Sequence, residues 1–285
     1  MNRIRTIGQG GLGIVSLYQA TNGNYYAVKQ MIYHWDETHY ERFKREINIM
    51  KELVHNNIIK VLNSDILNNN PWYVMPFYKD GSLRDKILDL KSKGQVYSIK
   101  GASGIIYYLA NALSYAHKKG VIHRDLKPEN ILFNGQEPIV ADWGIGKFIH
   151  KESKVLTYGG LGTKSYCSPE QWQTGVSDQR SDIYSLGLIY RELLTGSLTG
   201  HVNDHKVNAI INKMTLISPT DRYKSMEEVM RDIKTLDIVS TENPMSDFWG
   251  GVIAVGTMIG LIYVLAKLRR DPGCTGSTDC NKGYT

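Results

Sequence analysis

The spacing of apolar and polar residues changes several times along the chain, and each change marks an element. Residues 3–7 and 14–20 read as strands flanking a glycine turn, and Tyr25 to Met31 reads as a third strand that carries Lys29 near its end. From Glu37 to Val54 the period lengthens to that of a helix. Phe43, Ile47, Met50, Leu53 and Val54 fall on one face, and Glu46 lies on the side shared by Met50 and Leu53. Ile58–Leu62 and Trp72–Met75 are strand-like. Residues 102–119 form an amphipathic helix whose buried stripe is Ile105, Leu109, Ala112, Leu113 and Ala116. Ser181–Leu194 is apolar nearly all round, which suits a helix at the centre of a lobe. No internal repeat is visible. The pattern predicts an α+β chain with a strand-rich first lobe holding one helix and a mostly helical second lobe.

Beyond residue 236 the composition turns polar (DIVSTENPMSD, 237–247), as a linker does, and then strongly apolar. Trp249 to Ala266 is eighteen residues without a charge, the short end of the roughly 20 that span a bilayer. Trp249 and Tyr263 suit the membrane interfaces, and Lys267, Arg269 and Arg270 cap the far end. A buried terminal helix is the alternative, but such a helix would carry some polar face and this one has none. One transmembrane helix and a bilayer partner are therefore expected, with nineteen residues after Ala266, too few to fold a further domain.

Composition narrows the class. Of 285 residues, 42% are apolar and 22% charged, as in a globular protein. The formal net charge is +6, of which the stretch after Ala266 contributes +2 and the first 266 residues the remaining +4. No stripe of Arg and Lys interleaved with aromatics marks a nucleic-acid surface, so no nucleic-acid partner is expected. Cys167, Cys274 and Cys280 form neither a disulfide framework nor a metal-site spacing, which fits folding in a reducing compartment. The start, MNRIRTIGQG, lacks an apolar signal-peptide core, so the folded part is expected to face the cytosol.

The chemistry concentrates in HRDLKPEN at 123–130 and DWG at 142–144. Phosphoryl transfer needs a carboxylate to accept the proton of an acceptor hydroxyl and oxygen ligands to hold magnesium on the phosphates. Asp125, Asn130 and Asp142 are the right residue types in the right order. Upstream, GQGGLGIV at 8–15 is a glycine-rich loop set between two strands rather than between a strand and a helix, which excludes most dinucleotide-binding folds. AVK follows, with Lys29 sixteen residues after Gly13.

These motifs resemble those of eukaryotic-type serine/threonine protein kinases over about residues 3–236, and SPEQ with GTKSY is similar to the bacterial branch. The resemblance implies a bilobal domain at 1–236 (first lobe 1–75, hinge 76–79, second lobe 80–236), a linker at 237–248, a span at 249–266 and a tail at 267–285. It implies ATP and Mg2+ as cofactors and protein Ser/Thr hydroxyls as acceptors. Gly8, Gln9, Gly10, Gly11 and Gly13 would cover the phosphates, and Lys29, fixed by Glu46, would hold the α- and β-phosphates. Val15, Ala27, Met75 and Leu132 would enclose adenine, with Met75 as gatekeeper, the Pro76 carbonyl as acceptor and the Tyr78 N–H as donor. Asp125 would be the base, Lys127 would neutralise the γ-phosphate, and Asn130 and Asp142 would be the metal ligands. Trp143 replaces the more common Phe and should pack under the regulatory helix.

By the same resemblance Glu170 pairs with Arg222, and Asp182 accepts N–H bonds from the catalytic loop. Arg124 and Lys147 would receive a phosphorylated activation-loop residue. Thr157 is the first candidate, then Ser153 and Tyr158, while Thr163 faces the substrate and bridges Asp125 and Lys127. The stretch from Gly196 to Pro219 departs from the family, which places far more residues there, including a complete helix; LTGSLTGHVNDHKVNAIINKMT is expected to leave room for little. Gly256 and Gly260 form GxxxG, either lipid-facing or the contact of a homodimer. A catalytically weak pseudokinase scaffold is the alternative reading, and a small-molecule phosphotransferase on the same fold is a third.

Overall fold

The computed structural model describes residues 1–10, 13–32, 37–67, 70–143 and 165–236. The first lobe is a five-stranded antiparallel sheet in the order β1-β2-β3-β5-β4. Its strands are β1 (Asn2–Gly10), β2 (Gly13–Gln19), β3 (Tyr25–Met31), β4 (Asn63–Asp65) and β5 (Trp72–Pro76). Strand period puts Ala27, Lys29 and Met31 of β3 on one face, all buried. Register sets Leu17 and Val15 of β2 opposite Ala27 and Lys29, and Met75 and Tyr73 of β5 opposite the same two residues. Among the described residues the helix of this lobe, α1 (Glu37–Glu52), buries Phe43, Ile47 and Met50 together with one charged side chain, Glu46, and Leu53 is buried just past its end.

The second lobe contains α2 (Leu83–Ser92), α3 (Ile99–Lys118), the hairpin β6–β7 (Ile131–Asn134 and Glu137–Val140), α4 (Pro169–Thr174), α5 (Gln179–Thr195), α6 (His205–Met214) and α7 (Met226–Lys234). Helix α2 opens with a capping box: the Ser82 hydroxyl accepts from the Asp85 N–H at 3.2 Å, and the Asp85 carboxylate accepts from the Ser82 N–H at 2.8 Å. Helix α3 places Ile105, Ile106, Leu109 and Leu113 wholly out of solvent, each burial stabilising by about 1.5–3 kcal/mol. Helix α5 is central, as its composition predicts. The polar groups it buries include Ser181, Asp182, Ser185 and Glu192, which bond Glu170, the His123 N–H, the Tyr166 carbonyl and Arg84 in turn.

Three expectations need correction. Helix α1 stops at Glu52, and Val54, expected on its buried face, is 72% exposed, its N–H donated to the Tyr115 hydroxyl at 3.2 Å. Ile58–Leu62 is not a sheet strand. Ile58 and Ile59 are buried against the β6–β7 hairpin, where the Ile59 N–H bonds the Val140 carbonyl at 3.0 Å, and the ladder begins only at Asn63. The stretch from Gly196 to Pro219 has room for a full helix. Asp204 caps α6 through the Lys206 and Val207 N–H groups, and Val207, Ile210, Ile211 and Met214 form its buried stripe. Gly187 of α5 permits that packing, since a Cβ there would lie 2.7 Å from the Met214 Cβ. Among the described residues no helix is long and apolar enough to cross a membrane; the expected span, 249–266, lies outside them.

Candidate active site

Strand β3 delivers Lys29 to the space between the lobes, where its Nζ meets Glu46 Oε1 at 2.7 Å and Asp142 Oδ1 at 3.1 Å. The Tyr73 hydroxyl, opposite Lys29 in the ladder, donates to the same Glu46 oxygen at 3.0 Å. Glu46 is only 1% exposed. Burial alone would lower the Lys29 pKa. The Glu46 carboxylate, Tyr73 and Asp142 outweigh it and hold the ammonium well above its usual value. Burial pushes the Glu46 carboxyl up against the pull of Lys29. Two carboxylates thus share one ammonium, and the Asp142 side chain is 46% exposed.

The opposite wall is built from the loop at 123–130 and the β6–β7 hairpin. Asp125 lies 3.0 Å from Lys127 Nζ. The Asn130 amide nitrogen donates to the Asp125 carbonyl at 2.9 Å, so its oxygen is the end left for ligation. A single 3-10 turn, Pro128–Asn130, leads into β6, and the Ala141 N–H returns to the Asn130 carbonyl at 2.8 Å. That bond sets Asn130 and Asp142 side by side at the two ends of the hairpin. Arg124 (φ 67°) and Asp142 (φ 56°) are the non-glycine residues with positive φ among those described. Such backbone strain persists only where surrounding bonds enforce it.

For Arg124 those bonds come from Asp182 on α5. It accepts the His123 and Arg124 N–H groups, each at 2.9 Å, and lies 2.7 Å from His117 Nε2. Burial would raise the Asp182 carboxyl, but His117, His123 and the backbone donors bring it below its usual value. Gln171 donates to the Arg124 carbonyl at 2.6 Å, and His123 Nε2 lies 3.0 Å from the Ala141 carbonyl. Trp143 is fully buried, its ring 4.9 Å from that of His123 and its N–H donated to the Val140 carbonyl. Lower in the lobe, Arg222 grips Glu170 with two bonds of 2.9 and 2.8 Å. Burial acts upward on Glu170, and the Arg222 bonds overcome it to bring the carboxyl to about 2.

The glycines divide by purpose. A Cβ on Gly13 would sit 2.5 Å from the Gln30 carbonyl oxygen, so β2 must have glycine there to approach β3. Gly8 and Gly10 meet no such obstacle. Their lack of side chains is not explained by packing and leaves backbone open to a ligand. Gln9 lies between them in β1, and Gly8 pairs with Val15. Ala27 is 4% exposed, Met75 and Pro76 close β5, Tyr78 follows them, and Leu132 sits in β6. Gly11, Lys147, Ser153, Thr157, Tyr158, Thr163, Gly256, Gly260, Cys274 and Cys280 lie outside the described residues.

The residues present fit magnesium. Among the described residues no three His, Cys, Asp or Glu side chains form a metal cage. Asn130 with the partly exposed Asp142 is the partial set that magnesium uses, since it keeps water and phosphate oxygens as its other ligands.

One cluster was not anticipated. The Arg84 guanidinium, from the first turn of α2, bonds Glu129 at 2.8 Å, Glu192 at 2.7 Å and the Tyr166 hydroxyl at 2.6 Å, and Tyr166 also donates to Glu192. It ties the residue beside Asn130 to the segment that precedes α4. Glu129 was visible within the catalytic motif; its partners sit up to 82 residues from Arg84 in one case and 108 in another, with no local signal.

Comparison with known proteins agrees with this geometry. The kinase domain of PknI from Mycobacterium tuberculosis superposes with a TM-score of 0.64 at 22% identity, covering 82% of this chain and 94% of that one, a likeness of fold. The serine/threonine-protein kinase PrkC of Bacillus subtilis is 29% identical over 260 residues, covering 81% of this chain and 40% of the relative. A probable myosin light chain kinase of Dictyostelium discoideum is 36% identical over 208 residues, covering 70% and 51%. The chain thus spans between two-fifths and about half the length of these two curated relatives. The family model described as protein kinase domain matches residues 1–252, and the chain belongs to the protein kinase family.

Proposed function

We propose that this chain is an ATP- and magnesium-dependent serine/threonine protein kinase, tethered to a membrane by residues 249–266. The observation that carries the reading is the Lys29 ammonium bonded at once to Glu46 and to Asp142, 17 and 113 residues away. That arrangement joins the two lobes at the point where phosphates would lie. Lys127, part of the catalytic motif, and the names of bacterial relatives such as PrkC support Ser/Thr hydroxyls as acceptors.

In this reading Gly8, Gly10 and the intervening Gln9 cover the triphosphate, and Lys29 holds its α- and β-phosphates. Adenine lies against Val15, Ala27, Met75 and Leu132, accepts from the Tyr78 N–H and donates to the Pro76 carbonyl. Pro76 has no N–H, but only its carbonyl is used. Asp125 accepts the proton of the acceptor hydroxyl, and Lys127, 3.0 Å from it, offsets charge on the γ-phosphate. Magnesium, when held by Asn130 and Asp142, supplies positive charge to the phosphates. Asp125→Asn tests the division of roles: turnover should collapse while ATP affinity stays nearly intact. Near wild-type turnover would sink the assignment of the base.

Tethering sets topology. Because ATP is cytosolic, residues 1–247 face the cytosol in this reading and the residues after the span lie across the membrane. The positive-inside rule points the other way, because Lys267, Arg269 and Arg270 follow the span. The location of the nucleotide prevails. Close contact at Gly256 and Gly260 would pair two copies and favour phosphorylation in trans at Thr157. Protease added outside intact cells decides the orientation: digestion of the domain with the membrane intact contradicts it.

A further inference from the structure

Outside the cleft, where the β2–β3 turn meets the hinge, a groove of about 680 Å³ is lined by Arg5, Tyr25, Leu62, Pro76, Phe77 and Lys79, among others. Tyr25 and Leu62 are 49% and 50% exposed, a large opening for apolar side chains. No Asp or Glu lines the groove, and among the described residues no carboxylate pairs with Arg5 or Lys79. Two cations without partners beside open apolar surface select an occupant that is both acidic and partly apolar.

The chain carries such a segment. Residues 237–248, DIVSTENPMSDF, hold Asp237, Glu242 and Asp247 with no Lys, Arg or His, and interleave them with Ile238, Val239, Pro244, Met245 and Phe248. The described residues end at Leu236, just beyond α7. Lys234 of α7 lies 5.5 Å from the Tyr107 ring of α3, and that ring is 6.3 Å from Tyr108. Tyr108 and Tyr78 both feel the Glu137 carboxylate of β7; burial first, and that carboxylate second, push both hydroxyls up. Tyr78 is the neighbour of Lys79. Twelve extended residues reach roughly 40 Å.

We propose that residues 237–248 dock in cis in this groove, their carboxylates against Arg5 and Lys79 and their apolar side chains against Tyr25 and Leu62. The docked segment braces the outer side of Pro76–Lys79, the strip whose inner side is read as facing adenine. It thereby links whatever follows residue 248 to the nucleotide site. The proposal concerns contact and does not require phosphotransfer, so its failure and the failure of the kinase reading are separate results.

A zero-length carbodiimide cross-linker joins a lysine amine to a carboxylate only where the two touch. Applied to the full chain in detergent micelles at low salt, it should couple Lys79 to Asp237, Glu242 or Asp247, detected by mass spectrometry. The yield should fall at least tenfold in Lys79→Arg and in the triple variant Asp237→Asn, Glu242→Gln, Asp247→Asn. Mixing isotope-labelled and unlabelled chains should give products from one chain only. Products joining two chains would overturn docking in cis. Hydrogen exchange gives a second readout: amides 23–26 and 77–79 should exchange at least threefold faster in the triple variant than in wild type. Absence of the cross-link together with unchanged exchange would overturn the proposal.

Discussion

Replacing Arg222 by methionine isolates the clamp that anchors the lower lobe beneath the active site. Arg222 is 3% exposed and spends its guanidinium on Glu170 twice, at 2.9 and 2.8 Å, and on the carbonyls of Leu216 (2.7 Å), Ile217 (2.9 Å) and Arg180 (3.0 Å). Methionine keeps much of the aliphatic volume but leaves the Glu170 carboxylate, 19% exposed, without its cation. Breaking a buried pair from one side costs about 3–5 kcal/mol. At about 2–4 °C per kcal/mol for a domain of this size, Tm should drop by roughly 6–20 °C. The pH dependence gives a second check. Glu170 is held at about 2 against its ordinary 4.5. That shift corresponds to about 3 kcal/mol, and to roughly half of it after screening by the solvent that reaches the carboxylate. Because the folded value is the lower one, this contribution is fully present above pH 4.5 and is lost as pH falls through about 2. Urea melts of wild type should weaken from pH 5 toward pH 3, and Arg222→Met should lose most of that slope. A Tm change under about 2 °C at pH 7, less than 1 kcal/mol, or identical slopes in both proteins, would refute the reasoning.

Gly13→Ala should cost about 1–3 kcal/mol in melts, because its Cβ would meet the Gln30 carbonyl at 2.5 Å, whereas Gly10→Ala should leave Tm nearly unchanged and raise the KM for ATP. Equal melting losses in the two variants would contradict the division of the glycines. Lys29→Met should abolish transfer, and it strands Glu46, whose carboxyl burial already pushes up, without a cation. An acid raised in the folded state loses stability as pH rises from its ordinary value toward the folded one, so the variant should weaken as pH climbs above the ordinary carboxylate range; pH-independent melts would count against this. Arg84→Ala should lower kcat/KM for a peptide acceptor about ten- to a hundredfold through loss of charge-assisted bonds, while the KM for ATP holds; a change confined to ATP would contradict the coupling.

The site was legible in the sequence where chemistry and spacing are local. The loop from His123 to Asn130 could be read because its residue types stand in the order the chemistry needs, while the pair Lys29–Glu46 came from the family resemblance. The contacts Glu170–Arg222 and Asp182 with the loop N–H groups came from the family resemblance and appear at 2.8–2.9 Å. The Arg84 cluster could not be read, since four elements meet there only after folding. Pattern failed at Ile58–Leu62 for a physical reason. A short apolar run has the same appearance whether it pairs in a ladder or fills a core, and here Ile58 and Ile59 fill one. Helix α6 was missed because length was weighed above period, although Val207, Ile210, Ile211 and Met214 keep helical spacing.

The most direct measurement mixes the full chain with γ-labelled ATP, magnesium and a protein bearing Ser and Thr acceptors, then identifies the labelled residue. The account predicts label on serine or threonine hydroxyls, absent with Asp125→Asn and with Lys29→Met. ATP binding without any transfer, or label carried equally by both variants, would contradict it.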